Sequence, residues 1–281
     1  MTTSPPRVPL RRALLTFVVA TAALCFCASA RAASTLPTVS VAATPTSATI
    51  GGALQSGGVN VVMTSSAKET TVILVALKPG VSLAEAEAFA KSSKPKDPNN
   101  VGEIGSIVFD AEANPGPPSE VQTELKAGDY LLLTGVGEGE PTVKAHFTVT
   151  ASKAPVALPV PGATVRAIDF NFRGPSVLHV GELVRFENEG FVVHMQFAFP
   201  VRNLKSARKV VGLLREGKER PLRKLIVGPP VGFAGPLSHG AFQQETITAR
   251  PGVYVEVCFM QTQDGRDHTR IGMERIIRIA K

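Results

Sequence analysis

Cysteine is scarce in this chain, with three in 281 residues, and their placement rules out a disulfide framework. Cys25 and Cys27 lie near the N-terminus, and Cys258 stands alone in the rest of the sequence. Histidine is also thin, with five residues and no His-x-His pair. The apolar run from Ala13 to Ala28 spans 16 residues, short of the roughly 20 that a membrane-spanning helix needs. Arg7, Arg11 and Arg12 precede that run, and Ala30-Arg31-Ala32 follows it. A basic start, a short apolar stretch and a small-x-small site predict a secretory signal over residues 1–32, and so export. The alternative is a signal retained as an anchor. Leu24 and Phe26 occupy positions where a lipid-attachment site expects small residues.

A large charge excess is missing too. Residues 1–32 carry four arginines and no acid, so cleavage lowers the formal charge from +7 to +3. Nucleic acid thereby loses its main electrostatic argument as a partner. It also leaves Cys258 as the lone cysteine of an exported chain. Such a residue is a free thiol, an intermolecular bridge or a metal ligand.

What the sequence does have is β-structure. Short apolar-alternating runs punctuated by turns predict strands at Val39–Val41, Val59–Met63, Val72–Leu77, Tyr130–Leu133 and Phe147–Val149. Further strands are expected at Val165–Phe172, Leu183–Phe186, Met195–Phe199, Val253–Cys258 and Ile276–Ile279. Between the two groups, residues 151–164 (ASKAPVALPVPGAT) are rich in proline, glycine and alanine and read as a linker. The expected class is all-β, with parts 33–150 and 165–281.

The two parts also look like copies. A shift of 123 sets Val61-Val62-Met63 against Val184-Arg185-Phe186, Ser65 against Asn188, and Thr71 against His194. Helical stretches follow at Leu83–Ala90 and Leu204–Leu214. A shift of 124 sets Leu125-Lys126-Ala127-Gly128-Asp129-Tyr130 against Ala249-Arg250-Pro251-Gly252-Val253-Tyr254. One fold used twice explains this pattern, with two unrelated β-domains as the alternative.

Four residues of the second part carry chemistry. His194 follows the strand ending at Asn188; Cys258 is followed by His268 after nine residues and by Met273 after four more. Taken singly, each could be a core or strand residue. Two imidazoles, a thiolate and a thioether together suit copper in both oxidation states.

This order, one strand histidine and then Cys, His and Met around the last loop, resembles that of the cupredoxins, the Greek-key blue-copper family. The resemblance covers 165–281 and, through the repeat, extends to a degenerate, metal-free copy over 33–150. It implies a mononuclear, type 1-like copper site with His194, Cys258 and His268 as strong ligands and Met273 as the long axial one. It further implies single-electron transfer or copper carriage rather than enzymatic catalysis. Two features depart from the family pattern: the nine-residue loop is longer than in small electron carriers, and Met195 stands where asparagine is common. At the corresponding places the first part has Thr71, Thr134, Glu138 and Val143, which could not hold copper in the same way. His146, His179 and His239 lack such partners and read as surface or loop residues.

The stretch NLKSARKVVGLLREGKERPLRKLI combines a Val210, Val211, Leu213, Leu214 stripe with Lys205, Arg208, Lys209, Arg215, Lys218, Arg220, Arg223 and Lys224. It is either a docking face for an acidic redox partner or a solvated helix face. A rival from another class is a non-redox cell-surface or extracellular binding module on the same sandwich.

Overall fold

Alternating burial sets the strands, as in Thr38–Ala43, where Val39, Val41 and Ala43 point inward and their neighbours outward. The computed structural model describes residues 35–92, 97–137 and 139–281. The expected signal over 1–32 and Glu138 lie outside the described residues. Among those residues no helix is long and apolar enough to cross a membrane.

The first half contributes β1 (Thr38–Ala43), β2 (Ala48–Gly52), β3 (Gly57–Ser65), β4 (Thr70–Leu77), α1 (Leu83–Ala90), β5 (Gly105–Ala113), β6 (Ser119–Leu125), β7 (Gly128–Val136) and β8 (Thr142–Val149). The second contributes β9 (Ala163–Ile168), β10 (Asn171–Arg173), β11 (Val177–His179), β12 (Leu183–Asn188), β13 (His194–Val201), α2 (Leu204–Arg215), α3 (Glu219–Arg223), β14 (Val231–Leu237), β15 (Phe242–Thr246), β16 (Gly252–Val257) and β17 (Glu274–Ala280). The all-β class holds.

Strand order shows the repeat directly. One sheet runs β10-β9-β12-β15-β6-β3-β1-β2; the others run β11-β17-β16-β13-β14 and β5-β4-β7-β8. Parallel β1–β3 is matched by parallel β9–β12, and β4–β7–β8 by β13–β16–β17. Each half is thus a sandwich of two sheets with its own core, around Phe109 and Leu132 in the first and Phe186 and Phe233 in the second. Two β-sandwiches are present, as the all-β class implies. The long sheet is continuous across the halves through a single residue pair, Gln244 with Gln122, whose side-chain amides bond at 2.9 Å.

The paired turns have a physical counterpart. The Tyr130 hydroxyl donates to Lys126 O and the Tyr254 hydroxyl to Arg250 O, each at 2.8 Å. Both rings pin the turn that feeds a central strand. Register refines the alignment of the halves. Ala76 faces Tyr130 and Pro200 faces Tyr254, so a shift of 124 also holds across this strand, and Thr70 rather than Thr71 stands in the place of His194.

Two sequence readings need correction. The strand expected over Val165–Phe172 is a hairpin, β9 and β10 joined by the two-residue turn Asp169-Phe170. Strands β5, β6, β14 and β15, which the pattern did not announce, complete the sheets. The stretch 151–164 packs along the long sheet, with Val156 O accepting from Gly58 N–H and Pro159 O from the Gln244 amide. In α2, Ala207, Val210 and Leu214 are buried against β16, while Lys205, Arg208 and Lys209 are exposed.

Candidate metal centre

The nitrogens of His194 and His268 and the sulfur of Cys258 form a metal-capable group in which each residue offers one atom and all lie within 4.8 Å of one another. It is the one such group of histidine, cysteine and carboxylate side chains among the described residues. Three segments bring them together. His194 opens β13, Cys258 follows the last residue of β16, and His268 begins a short 3-10 turn that ends before β17. Cys258 Sγ lies 3.7 Å from His194 Nδ1 and 3.3 Å from His268 Nδ1. Met273 is fully buried and belongs to the same apolar cluster as Cys258. Its amide donates to His268 O at 2.9 Å, and its carbonyl accepts from Cys258 N–H at 3.2 Å. All four sequence-selected residues therefore sit in one buried region.

The protein holds each donor in place. His194 Nε2 is 3.2 Å from Asp169 Oδ1, an arrangement that puts the proton on Nε2 and turns the Nδ1 lone pair toward Cys258. Asp169 is itself held by the amides of Phe191 at 2.9 Å and Val192 at 3.4 Å. Asn188 ties the same loop, donating to Val192 O and Leu237 O and accepting from Gly190 N–H. The Met195 amide donates to Cys258 Sγ at 3.4 Å. Phe170 lies edge-on to His268, with ring centroids 5.0 Å apart. It does so at φ +62°, a left-handed conformation that is costly for a bulky side chain.

Asp169 and Phe170 were missed by sequence reasoning. The one local signal was polar Asp169 and Asn171 interrupting an otherwise strand-like run.

The electrostatics favour neutral donors. Burial lowers the His194 imidazole despite the opposing Asp169 carboxylate. Burial and the neighbouring His194 push His268 down to about 4. Desolvation pushes the Cys258 thiol up to about 12, against the pull of backbone N–H groups of Met195 and Met260.

These residues fit a soft metal ion. Without a cation, two imidazole Nδ1 atoms and a sulfur converge on one point, and the single thiol proton satisfies one nitrogen at most. His268 Nε2 is buried with no hydrogen-bond partner. Nitrogen and sulfur donors with no carboxylate among them select against calcium and magnesium.

Gly190 is required by this geometry. A Cβ there would lie 2.6 Å from both Asp169 Oδ1 and His194 Nε2. Gly190→Ala is expected to split that pair, costing about 1–3 kcal/mol of stability and roughly tenfold or more in metal affinity. Thermal denaturation of the metal-free protein and a chelator competition check the two effects.

Among the described residues, the first half has no such site. Thr70 and Thr134 are buried, and the Thr70 hydroxyl is already bonded to Ser65 Oγ and Ala67 O. His146, His179 and His239 are exposed, as the sequence implied.

No protein-family model matches the chain, and no curated protein does. Solved structures do. It is similar to auracyanin B at 19% identity over 44% of this chain and 94% of that one, with a TM-score of 0.27. Auracyanin A, a "blue" copper protein from Chloroflexus aurantiacus, matches at 16% identity over 42% and 96%, with a TM-score of 0.25. A Cu-containing nitrite reductase from Thermus scotoductus matches at 14% identity over 87% and 68%, with a TM-score of 0.26. Likenesses this remote do not bear on ligand or activity.

Proposed function

We propose that the chain is an exported copper protein whose part 165–281 holds one copper ion through His194, Cys258, His268 and Met273, and that it carries single electrons. The convergence of two imidazole nitrogens and a buried sulfur with no other cation to satisfy them carries this reading. A copper ion bound there supplies one-electron exchange between its cuprous and cupric states. The residues around it keep the donors fixed. Asp169 orients His194, the Met195 amide supports the sulfur, and the Phe170 ring closes over His268. Because these supports are set by two hairpins and a sandwich core, little has to move when charge changes.

The site suits a carrier rather than an enzyme. His194, Cys258, His268 and Met273 are at most 1% exposed, so a substrate has no direct approach to them, while electrons need none. In this reading part 33–150 is a metal-free companion fold. The exposed cations of α2 and α3 offer an acidic redox partner an electrostatic landing face.

The deciding experiment is an optical and paramagnetic-resonance titration of the protein with Cu(II), beside Cys258→Ser. The expected result is a strong visible thiolate-to-copper band that saturates at a one-to-one ratio and is absent from the variant. Equal behaviour of the two proteins, or no binding by either, would sink the proposal.

A further inference from the structure

A cavity of about 1120 Å³ opens between β4 and β5 of the first half and β13 to β15 of the second; Met195 lines it, but none of His194, Cys258, His268 and Met273 does. Much of its wall is apolar, with Ile73, Leu133 and Phe197 among the lining residues. Six acidic residues line it; Asp97, Glu112, Glu120 and Glu140 have partners of their own, which leaves Asp110 and Glu245. Asp110 is only 3% exposed, and among the described residues no hydrogen bond or ion pair reaches its carboxyl group. The one bond at this residue is from its backbone N–H to Gln243 Oε1, at 3.2 Å. Gln243 is fixed in turn by donating to Phe233 O. Glu245 lies two residues further along β15, on the same face as Gln243, half-buried and without a hydrogen-bond or ion-pair partner among the described residues.

The passing strand is shaped to admit the Asp110 carboxyl. Gly235 of β14 lies so close that a Cβ there would be 2.2 Å from Asp110 Oδ1. Desolvation alone raises Asp110 well above the ordinary carboxylate range and pushes Glu245 up to about 8. Native proteins rarely bury an acid as Asp110 is buried without a cation or donor to satisfy it. Elsewhere in this fold buried acids are paired, as Glu256 is with Arg275 and Glu274 with Arg215.

We propose that this cavity binds a small organic cation, a primary ammonium on an apolar body, with Asp110 and Glu245 receiving the ammonium and the apolar walls receiving the body. Chemistry and size select that class. A hard divalent ion needs six or more oxygens at close range, and a space this large with much of its wall apolar does not supply them. An ammonium with a hydrocarbon body matches both the two carboxyl groups and the wall. This assignment is independent of the copper reading.

The test is isothermal titration of the whole exported chain with 2-phenylethylammonium chloride and with 2-phenylethanol, its neutral counterpart, followed by Asp110→Asn and Glu245→Gln. One saturable site is expected for the cation, with the alcohol roughly tenfold or more weaker. Each variant should lose that preference while melting no lower than the parent, because an uncharged amide replaces an unpaired buried acid. The cation's binding should also release protons into the buffer as the carboxyl groups ionise. Absence of saturable binding, equal binding of cation and alcohol, or an undiminished preference in both variants would each overturn the proposal.

Discussion

Uptake of Cu(I) by the metal-free protein is expected to weaken about tenfold for each pH unit between pH 9 and pH 6. The cause is Cys258. Its buried thiol, raised to about 12, stays protonated throughout that range, so each ion bound as the thiolate complex must displace one proton. The direction follows: more protons in solution oppose uptake, and higher pH favours it. His268 is shifted down to about 4, so it is already neutral across that range and adds no second proton to the slope, and burial shifts His194 downward too. As the pH falls toward about 4 His268 begins to charge, and the dependence should steepen.

An ordinary thiol, ionising near 8.5, would flatten the curve at its upper end. A line that stays straight to pH 9 therefore reports desolvation of this sulfur. Anaerobic competition against a chelator of known proton affinity measures the slope. Cys258→Ser should lose it, and a flat profile for the parent protein would mean that sulfur is not a ligand.

Arg275→Ala is expected to cost about 3–5 kcal/mol of folding stability, because it strands a buried charge. Glu256 is fully buried, and its carboxylate lies 2.5 Å from Arg275 Nε. Arg275 also donates to Gly174 O at 3.1 Å. The two residues face each other across β16 and β17, two positions before Cys258 and two after Met273. Losing the pair therefore loosens the strands that position Cys258 and Met273.

A second substitution separates charge from packing. Exchanging Glu256 and Arg275 together for glutamine and methionine should recover much of the loss, since no unpaired acid remains. Chemical denaturation of the three proteins decides this, and equal stability of parent and Arg275→Ala would refute the account.

The candidate donors could be picked from the sequence because their types are rare and their order is specific, and the structure brings His194, Cys258 and His268 together. One cysteine and one nearby histidine left little choice. What supports them was not legible. Asp169 and Phe170 interrupt a run that otherwise alternates like a strand, and the turn they form is recognisable once His194 and His268 are seen beside it. Strand β14 carries Gly232, Gly235 and Pro236, which read as loop, and β15 carries Gln243 and Gln244, which read as surface. Strand β14 lies at the edge of its sheet, where Gly235 makes room for the Asp110 side chain, and β15 is internal to the long sheet because its glutamine amides find partners across strands. The repeat was visible through its tyrosine turns, but the register that places Thr70 opposite His194 required paired strands.

The Val193 amide donates to Asn99 Oδ1 at 2.7 Å, and the Val193 side chain packs among Val75, Ile104 and Leu131. The residue immediately before a proposed ligand is thus anchored in the half that offers no ligand of its own. That half is therefore not free to diverge as a passive spacer. Substitutions at Asn99, Ile104 or Leu131 would be felt at His194, and the tolerance of each would depend on what the other half carries. Over evolutionary time, a half without donors of its own stays under selection through the half that carries the candidate ligands, and the two should change as one unit.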